Sequence, residues 1–231
     1  MSMKATPKSQ PLPVAPPYEP MEARTLDEIP GGGGWQYEPK WDGFRCIAFR
    51  NGNNVQLQSK SGQPLARYFP DLVAALLDLD AKRFVIDGEI VLPVDGALSF
   101  DDLLQRIHPA ASRVKMLSEA RPALFIVFDL LVSDRGVSLV KKPVEQRRPL
   151  LEKFARKYLR GNKVVRLSPA TTDIKVVGQW FKKVGSGLDG IIAKRLGIPY
   201  MTGDRTGMVK VKHMRTADCV VGGFRYAEKN A

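Results

Sequence analysis

Within six residues, Lys40-Trp-Asp-Gly-Phe-Arg45, the chain places a primary amine, a carboxylate, a glycine and a permanent cation. This set suits an enzyme that attacks a nucleotide phosphate with a lysine. A protonated amine has no lone pair to offer, but neighbouring cations and a bound metal depress a lysine's pKa and free it. Arg45 is one such cation. The same hexapeptide would also suit the exposed edge of a charged hairpin, so its chemistry depends on the motifs that accompany it along the chain.

Downstream, in order, come Asp87-Gly-Glu89-Ile-Val, Phe125-Ile-Val-Phe128-Asp129-Leu-Leu, Asp189-Gly-Ile-Ile-Ala-Lys194-Arg and Val209-Lys210-Val-Lys212. The ordered set resembles the motif series of the covalent nucleotidyltransferases, which comprise DNA ligases, RNA ligases and mRNA capping enzymes. It is most similar to the adenylation domain of bacterial ATP-dependent DNA ligases. That similarity is carried by Tyr37-Glu-Pro-Lys-Trp-Asp-Gly-Phe-Arg45 and by His213-Met-Arg-Thr-Ala-Asp-Cys219-Val-Val-Gly-Gly, and it covers nearly the whole chain from Pro17 onward.

The resemblance implies roles for individual residues. Lys40 would attack the α-phosphorus of ATP, expel pyrophosphate and carry AMP as a phosphoramidate. Glu38, two positions earlier and so on the same strand face, would recognise the adenine amino group, with Trp41 beside the nucleotide. Asp42 would orient local groups, and Gly43 would let the backbone approach the nucleotide. Arg45 would hold the ribose or a phosphate with its rigid donor fork. Phe128 would stack on adenine, with Ile192 on the opposite base face. Lys194, Lys210 and Lys212 would line the phosphate side. Glu89 and Asp189 are the candidates for binding Mg2+ or Mn2+, which prefer a few carboxylates plus waters. Relatives commonly carry glutamate where Asp189 stands, so its shorter arm leaves both direct ligation and contact through water open. Lys60 and Arg67 are secondary candidates for phosphate or DNA contact. His108 and His213 lack metal-ligand spacing and receive no catalytic role.

The expected partner is nicked double-stranded DNA, whose 5′-phosphate would accept AMP before the 3′-hydroxyl seals the nick. An RNA ligase or a GTP-using capping enzyme shares the nucleophile motif, and a catalytically silent nucleotide-binding or DNA-binding module stays open as another class. In full-length relatives a C-terminal oligonucleotide-binding (OB-fold) domain follows the Val209–Lys212 motif. The chain is therefore expected to be an isolated adenylation domain that acts as a monomer. Residues 1–20 would be a flexible proline-rich tail, 21–216 the domain, and 217–231 a strand and the start of a linker.

The formal net charge of +12 over 231 residues favours a polyanionic partner. Cys46 and Cys219 are isolated, which suggests neither a disulfide framework nor a zinc site and fits a reducing cytoplasm. No long apolar run or signal-peptide pattern is present, which argues against membrane insertion and export.

The elements that must carry these motifs are legible in the periodicity. Gly31 to Gly34 read as a surface loop feeding the strand of Lys40. Alternation from Phe44, a turn at Asn51-Gly-Asn-Asn54 and the run to Ser59 predict a hairpin. Helices are predicted from Pro70, after a Ser99 cap, over Pro143 to Tyr158 and over Thr172 to Lys183. Strands are predicted at 83–92, Ala123–Val132, Lys163–Leu167, 190–195, 207–212 and 217–225. Helices between hairpin-linked strands give an α+β class with antiparallel sheets. The family's ATP-grasp-like fold, two twisted antiparallel sheets flanked by helices around a nucleotide cleft, would have this layout.

Overall fold

A computed structural model describes residues 10–181 and 188–212. Strand β1 (Arg24–Thr25) is followed by β2 (Trp35–Trp41), β3 (Phe44–Asn51), β4 (Asn54–Ser59), helix α1 (Pro70–Asp78) and β5 (Arg83–Val91). A small hairpin of β6 (Pro93–Val94) and β7 (Ala97–Leu98) leads to α2 (Phe100–Leu104), α3 (Ala111–Ala120) and β8 (Leu124–Val132). Helix α4 (Val144–Tyr158), β9 (Val165–Leu167), α5 (Ile174–Phe181), β10 (Leu188–Arg195) and β11 (Met208–Lys212) come after it. The strand expected at 217–225 and the boundary at 216 lie outside the described residues.

Two main sheets result, ordered β4-β3-β5-β8-β9 and β1-β11-β10-β2. Their interior pairs are antiparallel, as expected, while the edge pairs β8–β9 and β1–β11 run parallel. The first hairpin forms at its expected turn, with Asn51 opposite Asn54 and Gly52 at φ 62°. Ser99 caps α2 by accepting from the Asp102 N–H at 3.2 Å. Helix α3 is not anticipated by the sequence. It buries only Val114 and Ser118, too sparse an apolar stripe to register as helical period.

Strand alternation decides which side chains meet the space between the sheets. In β5, Phe84, Ile86 and Ile90 enter a core closed by Leu72 and Leu76 of α1 and by Leu151 and Phe154 of α4. The alternate residues Val85, Asp87 and Glu89 occupy the opposite face, where Val85 packs with Ile47, Leu131, Tyr200 and Met208. Strand β8 has apolar neighbours on both faces, which accounts for its near-continuous apolar run. The other sheet is backed by Val177 of α5 against Tyr37, Ile191 and Val209.

Bulges interrupt two ladders at functionally placed residues. Pairing of β5 with β8 steps from Asp87↔Asp129 to Gly88↔Val127, which leaves Phe128 without a register partner. Pairing of β10 with β2 steps from Leu188↔Trp41 to Gly190↔Lys40, which does the same for Asp189. An extra residue of this kind re-aims its side chain relative to the ladder. Gly190 comes next at φ 146°, and a Cβ there would overlap the Val211 carbonyl oxygen of β11. Gly190→Ala is expected to cost about 3 kcal/mol in urea unfolding, the upper end of common single substitutions. A cost below about 1 kcal/mol would show that β10 and β11 part easily.

The chain before β1 departs from expectation. A free tail is predicted over 1–20, but residues 10–20 pack on the domain. Val14 is buried. The Tyr18 N–H donates to Gln58 Oε1 at 2.8 Å, and Gln58 Nε2 donates to the Tyr18 carbonyl at 2.7 Å. The Tyr18 ring stacks on Tyr200 with centroids 6.4 Å apart. Proline-rich composition suits an extended strap as well as a tail, because such a segment lies across a surface without ladder donors of its own.

Candidate active site

Between the sheets lies a cavity of about 210 Å3, walled by β2, β3, β5, β8, β10, β11 and the strap residues Pro20 to Ala23. It adjoins a wider groove of about 820 Å3 that shares Glu22, Arg45 and Lys60 with it. The expected site residues Glu38, Lys40, Trp41, Arg45, Lys60 and Glu89 line the cavity. So do Phe128, Ile192, Lys194 and Lys210.

Lys40 lies on β2 beside the Asp189 bulge. Its Nζ donates to Asp189 Oδ2 at 2.6 Å, and Lys212 Nζ reaches the same oxygen at 3.1 Å. Burial works against ionising Asp189, but the hydrogen bonds from Lys40 and Lys212 outweigh it and hold the carboxyl below its usual range. The carboxylate expected to meet a metal thus carries two ammonium groups. Lys210, on β11 opposite Ile192, is half-buried in the cavity wall. Desolvation, then the positive charges of Lys212 and Lys40, lower its pKa. Among the described residues it has no acidic partner, so its charge is available to an anion.

Lys194, expected on the phosphate side, lines the cavity with a buried side chain held in an ion pair. Register places it opposite Gln36, with Ile192 opposite Glu38. Its Nζ donates to the Phe128 carbonyl at 3.1 Å and lies 2.9 Å from Glu38 Oε1 and 3.7 Å from Asp129 Oδ2. It stands 5.0 Å from the Phe128 ring centroid. Gln36 Nε2 donates to the same Glu38 oxygen at 2.7 Å. Glu38 Oε2 has no hydrogen-bond partner among the described residues, which leaves an acceptor in the cavity wall.

A third group surrounds Arg45. Glu89 is its cross-strand neighbour, and Asp87 lies on the diagonal, within reach of a long side chain. Arg45 Nε and Nη2 donate to the two Asp87 oxygens at 2.6 and 2.5 Å, and Tyr200 donates its hydroxyl to Asp87 Oδ2 at 2.6 Å. The guanidinium carbon stands 4.7 Å from the Phe128 ring centroid. Arg45 Nη1 keeps its donors for a ligand, having no acceptor among the described residues.

Burial pushes the Glu89 carboxyl up to about 8, against the pull of Arg45 and Lys40. The unfolded chain releases this proton near the ordinary glutamate value of 4.5, so between pH 4.5 and 8 the unfolded state binds fewer protons and stability falls as pH rises. Glu89→Gln should remove that fall. In chelator-containing buffer the variant's melting temperature is expected to gain on the parent's steadily from pH 5 to pH 8. A difference that stays constant over this range would contradict the assignment.

Of the remaining expected residues, Asp42, Gly43 and Arg67 fall outside the cavity lining. Asp42 is exposed, and Arg67, also exposed, donates to the Pro109 carbonyl at 2.9 Å and lies over Tyr68. Gly43 is explained by packing, since a Cβ would overlap the Ile90 carbonyl oxygen; the close approach is strand on strand. Lys60 pairs with Glu22 of the strap at 3.1 Å. The sequence gives no role to Gln36, Asp87, Asp129, Arg147 and Tyr200. A polar residue inside an otherwise apolar buried strand, such as Asp129 in Phe-Asp-Leu-Leu, is the signal available.

Among the described residues no helix is long and apolar enough to cross a membrane. The family profile described as ATP dependent DNA ligase domain matches residues 20–212. DNA ligase C2 of Mycolicibacterium smegmatis is 49% identical over 221 residues, covering 95% of this chain and 60% of the relative. DNA ligase C of Mycobacterium tuberculosis is 46% identical over 215 residues, covering 93% and 59%. The chain thus spans about 60% of the length of these curated relatives. Among solved structures, the ligase domain of M. tuberculosis LigD superposes with a TM-score of 0.65 at 27% identity, covering 85% of this chain and 59% of that one. A mycobacterial DNA ligase D complexed with ATP and MES gives 0.65 at 26% identity, covering 86% and 61%.

Proposed function

This chain belongs to the ATP-dependent DNA ligase domain family, and from that premise we propose that its cavity carries out the adenylation step of DNA ligation. Lys40 attacks the α-phosphorus of ATP as a neutral amine. A nitrogen–phosphorus bond forms, the bond to the pyrophosphate oxygen breaks, and the ammonium proton is lost to solvent. The observation that carries this reading is the setting of Lys40. Its amine is fixed by Asp189 at 2.6 Å in a cavity that also holds Lys210, a cation without an acidic partner among the described residues, and the aromatic Phe128.

The other walls account for the rest of the nucleotide. Glu38 Oε2 accepts from the adenine amino group, while Phe128 and Ile192 hold the faces of the base, with Trp41 fixed nearby by donation from its Nε1 to Ser168 at 3.0 Å. Arg45 offers Nη1 to the ribose or a phosphate. Lys210, with Lys212 behind it and Lys60 at the mouth, offsets phosphate charge. Glu89 fits as a carboxylate ligand for Mg2+ or Mn2+, because its half-buried carboxyl lacks full compensation in the protein alone. Such an ion would neutralise charge on the phosphates. Asp189 fits that role less well, its accepting oxygen being taken by two lysines.

AMP then passes from Lys40 to the 5′-phosphate of nicked duplex DNA, drawn to a protein of net charge +12. Sealing by the intact enzyme, acting as a monomer in the cytoplasm, would also use an OB-fold domain. Incubation with α-labelled ATP or GTP, followed by a chase with nicked DNA or RNA ends, tests the reading. Label should enter the protein from ATP and move to nicked DNA. Label taken from GTP, or passed only to RNA, would contradict it.

A further inference from the structure

We infer that Arg147, a residue of α4 outside the cavity lining, is a positioning residue that governs which base the cavity accepts. The inference rests on the proposal that the cavity binds ATP. It begins with two carboxylates. Asp87 and Asp129 are register partners on β5 and β8, and both are buried. Like charges so placed cannot both stay ionised unless each has its own cation. Arg45 serves Asp87. Arg147 serves Asp129 through a two-pronged pair, Nε to Oδ1 at 2.8 Å and Nη2 to Oδ2 at 2.9 Å.

Lys194 stands between this pair and the cavity, shared between Asp129 at 3.7 Å and Glu38 at 2.9 Å. Because Arg147 engages both oxygens of Asp129, the ammonium stays with Glu38 and with the Phe128 carbonyl. Burial opposes ionisation of Asp129, and Arg147, then Lys194, more than reverse it. Without the guanidinium, a buried and unpaired Asp129 would draw Lys194 away. Glu38 would lose its cation, and Phe128, which the bulge leaves without a register partner, would lose the hydrogen bond that seats its carbonyl.

Arg147 is also linked, through Tyr200, to the group that holds Arg45. Its guanidinium carbon lies 5.6 Å from the Tyr200 ring centroid, and Tyr200 donates to the Asp87 that holds Arg45 against Phe128. Buried ion pairs give little net stability over a well-packed apolar set. Four such charges, Lys194 and Glu38 in the cavity wall with Arg147 and Asp129 behind them, are accounted for by the geometry they impose on Glu38 and Phe128.

The test is single-turnover adenylylation by the parent, Arg147→Met and Arg147→Lys over concentration series of ATP and of GTP. Arg147→Met is expected to raise the half-saturating ATP concentration by about tenfold or more and to narrow the preference for ATP over GTP by a similar factor. Its rate at saturating ATP should stay within about threefold of the parent's. Arg147→Lys should recover part of the preference. A folded Arg147→Met with unchanged half-saturation and preference overturns the inference, and so does a loss confined to the saturating rate. Should Arg147→Met fail to fold, Arg147→Lys carries the test: a single ammonium keeps the charge but cannot hold both Asp129 oxygens. A narrowed preference supports the inference, and an unchanged one overturns it. If the parent itself forms no adduct with ATP, the functional reading fails; if the parent reacts and the variants match it, only the role of Arg147 does.

Discussion

Lys40→Ala and Lys40→Arg are each expected to abolish formation of the protein–AMP adduct while leaving the melting temperature within a few degrees of the parent's. Alanine removes the nucleophile. Arginine keeps the charge that Asp189 pairs with, but it is always protonated in proteins and has no lone pair to donate. The two variants together separate nucleophilicity from charge. A protein that needed only a cation at this position would survive the arginine change and fail with alanine. Adduct accumulating on the same peptide in either variant would remove Lys40 from the reaction.

The next largest effect is expected at Asp189. Its carboxylate fixes the Lys40 amine at 2.6 Å and ties Lys212 to the same oxygen. Asp189→Ala releases both lysines to solvent. The single-turnover adenylylation rate should fall by about a hundredfold, a common cost when a reacting group loses its fixed orientation. The divalent-ion concentration giving half the maximal rate should change little, because the acceptor lost is a lysine partner. A rate near the parent's, combined with a large shift in metal requirement, would return Asp189 to the metal role that the sequence suggests.

Much of the fold is legible in the sequence because its strands follow simple alternation. The β3–β4 hairpin, the Ser99 cap and the two-faced burial of β8 all arise from local chemistry. The strap escapes such a reading because proline-rich composition reports the lack of ladder donors and says nothing of what the segment lies against. The nucleophile and most of the cavity wall are legible through short motifs on neighbouring strands.

What the sequence hides depends on register. Alternation assigns Phe128 and Asp189 to faces as if the ladders were regular, yet each is the extra residue of a bulge. Lys194 can be placed near the cleft, but whether its ammonium meets a phosphate or a carboxylate turns on its pairing with Gln36 beside Glu38. Arg147 is one of several basic residues on an amphipathic helix, and only the packing of α4 on β8 sets it apart.

The most direct measurement is the intact mass of the denatured protein after incubation with ATP and a divalent cation, followed by peptide mapping. One added adenylyl group, carried by the peptide that contains Lys40 and removed on incubation with pyrophosphate, is the predicted result. An unchanged mass, or an adduct on a peptide that lacks Lys40, would contradict the account.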